Sequence, residues 1–130
     1  MAARNVDVIR GGYEDFRNGD FAGVMNRFDP EIEWSVSPNI PFGGDYRGHE
    51  EVARFFETLD EHYEELRVEP DEFIADGDRV VVLGVHRGRT RVGNDFEIHF
   101  SHSWLLRDGK ALGFREYADG VDLRRALGLD

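Results

Sequence analysis

The chain contains no cysteine, which excludes disulfide scaffolds, thiolate zinc sites and thiol nucleophiles. Lysine is almost absent: of 16 basic residues only Lys110 is not arginine. Those arginines are scattered among acids, which argues against an arginine-rich anion site. Positive charge is in deficit, with 27 acids against 16 bases and a net charge of −11. Such a surface repels phosphate backbones and anionic bilayers, so neither nucleic acid nor membrane is expected as a partner. Long apolar runs are missing too. The longest, Val80 to Val85, is far short of a bilayer span. The opening Met-Ala-Ala-Arg-Asn-Val-Asp-Val lacks the apolar stretch of a secretory signal. A cytoplasmic protein is expected.

What is present suffices for one core. The 130 residues, 40% hydrophobic and 12% aromatic, favour a single domain over 1–130, burying roughly two thirds of its unfolded surface. No repeat, linker or low-complexity segment interrupts it.

Helical spacing comes first. Val6, Ile9, Tyr13 and Phe16 step by three and four along one face. Asn18-Gly19-Asp20 ends that helix and caps a shorter one carrying Phe21, Val24, Met25 and Phe28, which Asp29-Pro30 should stop. Residues 31–36 alternate as a half-buried strand, and 37–48 read as loop. From His49 a long helix is predicted, with Val52, Phe55, Phe56, Leu59 and Tyr63 on one stripe and Glu50 and Glu51 at its positive end. Strands are predicted over about 66–75, 80–91, 96–106 and 111–118. The hairpin turns between them lie at Asp76-Gly77-Asp78, Val92-Gly93-Asn94 and Asp108-Gly109. A terminal helical turn should run through Leu127 and stop at Gly128. Helices followed by antiparallel strands make an α+β fold, helices on one face of the sheet, with room for an apolar pocket between them.

Two strands carry polar groups on apolar faces. Phe96, Ile98, Phe100, His102, Trp104 and Leu106 share one parity, so His102 sits among five large apolar side chains. Buried without a partner it would cost roughly 1–3 kcal/mol. Across the next hairpin, Glu116 shares a face with Leu112, Phe114 and Ala118. Within reach of each other, His102 and Glu116 would form a general acid/base couple. Burial would raise the carboxyl pKa and a neighbouring imidazolium would lower it again. Arg87 continues the Val81, Leu83, Val85 parity and His86 continues Val80, Val82, Gly84, so either can face inward. Arg87 inward would clamp Glu116 or an acidic ligand. Tyr13, on the buried face of the first helix, could donate to a ligand oxygen.

Other patterns carry nothing. His99-x-x-His102 puts the two rings on opposite faces of a strand, and no His-Glu-x-x-His is present, so no metal site is expected. Gly43-Gly44-Asp45-Tyr46-Arg47-Gly48 lacks the Lys-Ser/Thr of a phosphate loop.

Several segments resemble the SnoaL-like group of the nuclear transport factor 2-like (ketosteroid isomerase-like) superfamily. They are Asn18-Gly19-Asp20; residues 42–52, from Phe42-Gly43-Gly44 to Glu51-Val52; residues 100–110, from Phe100-Ser101-His102 to Gly109-Lys110; and Phe114-Arg115-Glu116-Tyr117-Ala118-Asp119 with Arg124-Arg125-Ala126-Leu127-Gly128. The resemblance implies a cone-shaped α+β barrel, its strongly curved sheet wrapped around the long helix and its N-terminal helices closing an apolar cavity. It also implies a homodimer through the sheet's outer face. Relatives include steroid isomerases, polyketide cyclases, dehydratases and epoxide hydrolases, mostly without a cofactor, as well as pure binding modules. By that resemblance Tyr13 matches the oxyanion-side tyrosine of the steroid isomerases. Their general-base aspartate falls on Val36 and their second acid on His102. The same offset turns Arg87 and Glu116 into the cavity and His86 out of it. The expectation is an enzyme with no cofactor and no metal, acting by acid/base chemistry on a small hydrophobic, oxygenated ligand. His102 and Glu116 would be the acid/base pair and Tyr13 the donor. Trp34, Phe55, Phe100 and Trp104 would form the wall, with Arg87 as a clamp. The alternative is a non-catalytic binding or dimerisation module of the same fold.

Overall fold

The computed structural model describes residues 2–129. Helix α1 (Ala2–Arg17) and the short α2 (Phe21–Asn26) lead into strand β1 (Phe28–Val36), then β2 (Gly44–Arg47) and helix α3 (Gly48–His62). Four strands follow, β3 (Tyr63–Asp76), β4 (Arg79–Thr90), β5 (Asp95–Arg107) and β6 (Lys110–Ala118), and then helix α4 (Gly120–Ala126). One mixed sheet holds all six strands in the order β2-β1-β6-β5-β4-β3. Every neighbouring pair is antiparallel except β1 with β6. The sheet curves as a cone with the helices on its inner face, but it does not close into a barrel: β2 and β3 are its edges. Among the described residues no helix is long and apolar enough to cross a membrane.

Three boundaries differ from the sequence expectation, each for a tertiary reason. Phe28 opens β1 instead of ending α2, because it pairs with Ala111 of β6 and is buried. Pro30 then lies within the strand, tolerated because the β1–β6 register is irregular between Phe28 and Glu33 and no ladder donor is required of it. The glycine-rich stretch read as loop contains β2, which pairs Asp45 with Ser35 and Tyr46 with Trp34. Tyr63, expected on the helical stripe, turns extended (φ −116°) and opens β3 instead.

Two helix ends show local chemistry at work. Glu51 reaches back to accept the Arg47 backbone N–H at 2.9 Å, which anchors the start of α3. Asp119 caps α4 by accepting from the N–H groups of Val121 and Asp122. Thr90, fully buried at the end of β4, donates to the Ala126 carbonyl at 2.7 Å and ties α4 to the sheet.

Gly11 and Gly84 are among the glycines that mark close approaches. A Cβ at Gly11, mid-helix in α1, would meet the Arg27 guanidinium at 2.4 Å. That guanidinium is held there by Asp15 at 2.8 Å. On β4, a Cβ at Gly84 would lie 2.4 Å from the Glu69 backbone oxygen and 2.5 Å from the Phe100 ring. Phe100 therefore rests on bare backbone. Gly84→Ala is expected to destabilise the fold by about 1–3 kcal/mol through overpacking, measured by chemical denaturation. An unchanged midpoint would show that strand β3 gives way freely.

Candidate active site

The hairpin at Asp108-Gly109 pairs β5 with β6 so that His102 stands directly opposite Glu116. Both side chains turn to the inner face. His102 Nε2 lies 2.8 Å from Glu116 Oε2. Strand β4, on the other side of β5, contributes His86, whose Nε2 is 3.4 Å from the same carboxylate oxygen. From α1, the Tyr13 hydroxyl reaches His102 Nδ1 at 2.6 Å. The indole N–H of Trp104, two residues along β5, donates to the Tyr13 oxygen at 3.1 Å. The outcome is a continuous polar chain, Trp104–Tyr13–His102–Glu116, with His86 attached at the carboxylate.

That chain borders a cavity of about 100 Å³. Tyr13, His86, His102 and Glu116 line it together with an otherwise mostly apolar wall that includes Trp34, Phe55, Trp104 and Phe114. Trp34 stacks on Phe114 with ring centroids 3.8 Å apart. Its indole N–H has no hydrogen-bond partner among the described residues. A groove of about 530 Å³ adjoins the cavity, and Phe16, Phe56, Leu59, Tyr63 and Leu66 line both.

Two placements correct the expectation. Arg87 does not face the cavity. It lies on the other face of β4, half-exposed, with Nε 2.6 Å from Glu69 and a terminal nitrogen 2.7 Å from Glu97. His86 takes the inward place, following the buried Val80 and Val82. The strand carries a signal for this: Arg87 shares its parity with Arg89, so turning one guanidinium inward would turn both. Burying two unpaired cations is far costlier than burying one imidazole. Phe100 is likewise absent from the cavity lining. Its ring fills the gap over Gly84, stacks on His102 at 3.9 Å and packs tilted against His86 at 4.7 Å. It is the platform of the two imidazoles.

The environment tunes these groups in different directions. Burial pushes His86 down to about 4, with Glu116 raising and His102 lowering it, so near neutral pH its ring is uncharged. Burial raises the Glu116 carboxyl, but His86 and the hydrogen bond and charge of His102 outweigh that and hold it below the usual carboxylate value. Tyr13 is raised well above an ordinary phenol, chiefly by burial and further by Glu116, against a lowering contribution from the Trp104 N–H. The site therefore holds an ionised carboxylate and a neutral imidazole side by side in an apolar cavity, ready to move a proton rather than to bind an anion.

As donor types, His86, His102 and Glu116 could also meet a divalent cation, since one ligand atom from each lies within 4.8 Å of the others. Here the 2.8 Å contact between His102 and Glu116 is a hydrogen bond, and an ion would have to displace the proton in it. The hydrogen-bonded pairing and the tyrosine beyond it favour proton handling.

A depressed imidazole has a stability consequence. Between about pH 6.5 and 4 the unfolded chain protonates His86 while the folded chain does not, so stability falls as pH falls through that window. The displacement from 6.5 to about 4 corresponds to about 3 kcal/mol. His86→Gln should lack this part of the slope when unfolding free energies of the two proteins are compared across the window. Identical slopes would show that the imidazole titrates as if in water.

Among curated proteins no sequence matches this chain. Residues 9–113 match the family model described as the SnoaL-like domain. Solved structures match nearly end to end. An NTF2-like protein of unknown function from Burkholderia pseudomallei is 32% identical, with 98% of each chain covered and a TM-score of 0.93. TerC, co-crystallised with polyporic acid, is 31% identical over 96% of this chain and 98% of its own, with a TM-score of 0.91. A putative SnoaL-like polyketide cyclase from Jannaschia sp. CCS1 shares the fold, with a TM-score of 0.87 at 18% identity, over 100% of this chain and 95% of its own. With the domain match spanning most of the sequence and the cone-shaped sheet superposing on these relatives, the chain belongs to the SnoaL-like family of the NTF2-like fold.

Proposed function

We propose that the protein is an enzyme that acts on a small hydrophobic, oxygen-bearing molecule by side-chain acid/base chemistry, of the isomerase, cyclase or dehydratase/hydrolase type. The observation that carries this reading is the polar chain Tyr13–His102–Glu116, which lines an otherwise mostly apolar cavity. Glu116 and His102 form the acid/base pair, and Tyr13 stabilises oxygen charge as it develops. His86 joins them as a second, neutral imidazole on the same carboxylate. Trp34, Phe55 and Trp104 form the apolar wall that excludes water. The relative co-crystallised with polyporic acid supports an aromatic, oxygenated ligand class. A cavity of about 100 Å³ is smaller than the roughly 300–1,000 Å³ of most ligand pockets. A larger substrate therefore needs the side chains that line both cavity and groove to move. Assembly as a homodimer through the outer face of the sheet belongs to the same proposal.

A second reading, a non-catalytic module, is favoured by one observation: both His102 ring nitrogens are already partnered inside the protein. The two readings separate on Glu116→Gln, which keeps shape and hydrogen-bonding capacity. Under the enzymatic reading, turnover of a substrate found by screening oxygenated aromatics, polyporic acid included, falls about 10²–10⁴-fold, while ligand affinity changes only a few-fold. Wild-type turnover in that variant would overturn the acid/base assignment. A monomer mass by light scattering would overturn the dimer.

A further inference from the structure

We propose that the ligand group recognised at Tyr13 is a hydroxyl, phenolic or enolic, that donates its hydrogen bond to the Tyr13 oxygen and passes its proton through Tyr13 to His102 Nδ1. This rests on the acid/base reading above and assigns it a ligand class and a direction. The direction follows from which atoms can only donate. The Trp104 indole has one N–H and no acceptor, so at 3.1 Å it donates to the Tyr13 oxygen. Tyr13 then has a single hydrogen to place, and His102 Nδ1 stands 2.6 Å away. Nδ1 accepts only if the ring proton is on Nε2, and Nε2 is the atom 2.8 Å from the Glu116 carboxylate, which only accepts when ionised. With Glu116 ionised and His102 neutral, one arrangement of hydrogens satisfies all three contacts. The titratable groups facing His102 are Tyr13 from α1, His86 from β4 and Glu116 from β6.

In that arrangement the hydroxyl of Tyr13 is committed. What its oxygen still offers a ligand is a lone pair. A ligand carbonyl would meet it lone pair to lone pair, whereas a ligand hydroxyl finds an acceptor. The transfer balances without any other reagent. The ligand O–H bond breaks and its proton binds the Tyr13 oxygen. Tyr13's own O–H bond breaks toward His102 Nδ1, whose lone pair takes that proton. The electron pair stays on the ligand oxygen, now an oxyanion, and His102 becomes an imidazolium beside Glu116. Tyr13 again carries one hydrogen, now directed at the oxyanion it has just created. Its oxyanion-stabilising role is thus acquired during the transfer. The new imidazolium faces the Glu116 carboxylate across their 2.8 Å contact, a pairing that favours the charged form of both. Trp104 is a positioning residue, since its N–H forces the Tyr13 hydrogen toward His102. The aromatic walls and the cavity of about 100 Å³ suit a single ring, being of the order of a cavity that takes benzene.

The test uses 4-nitrophenol and its methyl ether, 4-nitroanisole, with the full-length protein. 4-Nitrophenol is expected to bind at least about tenfold more tightly than the ether, the worth of one well-made hydrogen bond to a buried acceptor. At a pH where the free probe is mostly the neutral phenol, the bound probe should show phenolate absorption. Tyr13→Phe should still bind 4-nitrophenol but show the neutral phenol's spectrum. Trp104→Phe, which frees the Tyr13 hydroxyl to rotate, should bind it with a weakened phenolate signal. Should Tyr13→Phe not fold, the two probes on the wild-type protein and on Trp104→Phe decide. A neutral-phenol spectrum for the probe bound to the wild-type protein overturns the relay, whatever its affinity, and leaves the acid/base pocket standing. A phenolate signal that survives Tyr13→Phe overturns the route through Tyr13. Failure of 4-nitrophenol to bind overturns this inference, while the proposed function stands or falls on the Glu116→Gln turnover.

Discussion

A carboxylate in an apolar interior must find hydrogen-bond donors or give up its charge, and the inner face of this sheet is arranged around that requirement. Glu116 has two imidazoles within reach, one from each of the next two strands. His102 in turn uses its other nitrogen on Tyr13, and Tyr13 uses its oxygen on Trp104. Removing any member leaves a buried partner exposed to the full cost of desolvation, so the network constrains strand register, helix position and ring orientation at once. The register that pairs His102 with Glu116 also pairs Trp104 with Phe114, which places the indole to meet Tyr13.

Two close approaches in the scaffold depend on glycine. Phe100 can pack against both imidazoles only because Gly84 has no side chain where the ring lies. Arg27 can sit against α1 only because Gly11 leaves the space, a mid-helix glycine that costs about 1 kcal/mol of helix propensity. In both cases a local weakness is tolerated because a longer-range contact requires it. The same logic accounts for Pro30 within β1, where the irregular pairing with β6 asks for no amide hydrogen.

Much of the fold was legible because hydrophobic spacing is a short-range property. The alternation along residues 96–106, the helical stripe from Val52 to Leu59 and the Asp-Gly hairpins all correspond to elements of the structure. β2 was not legible, since a glycine-rich tetrapeptide becomes a strand only by pairing with β1. Nor was the conversion of Tyr63 from helix to strand, because its ring packs with Phe96 and its backbone pairs with Thr90. At the site, the face of β5 and β6 was readable, and His102 and Glu116 meet as that reading requires. The face of β4 was misassigned: both sides are apolar as far as Val85, and the offset that placed Glu116 inward did not hold for Arg87.

The amino-acid sequence alone determined which residues share a face on each strand, that an imidazole and a carboxyl occupy consecutive strands across a tight hairpin, and which family the chain resembles. Each of these depends on neighbours a few residues apart. Only the tertiary structure decided that His86 rather than Arg87 enters the cavity, that Phe100 supports the imidazoles instead of lining the cavity, and that Tyr13 meets His102 and Trp104, about ninety residues away in the chain. Those outcomes depend on how volumes and charges from distant segments fit around one cavity. That is a global constraint, and no local periodicity encodes it.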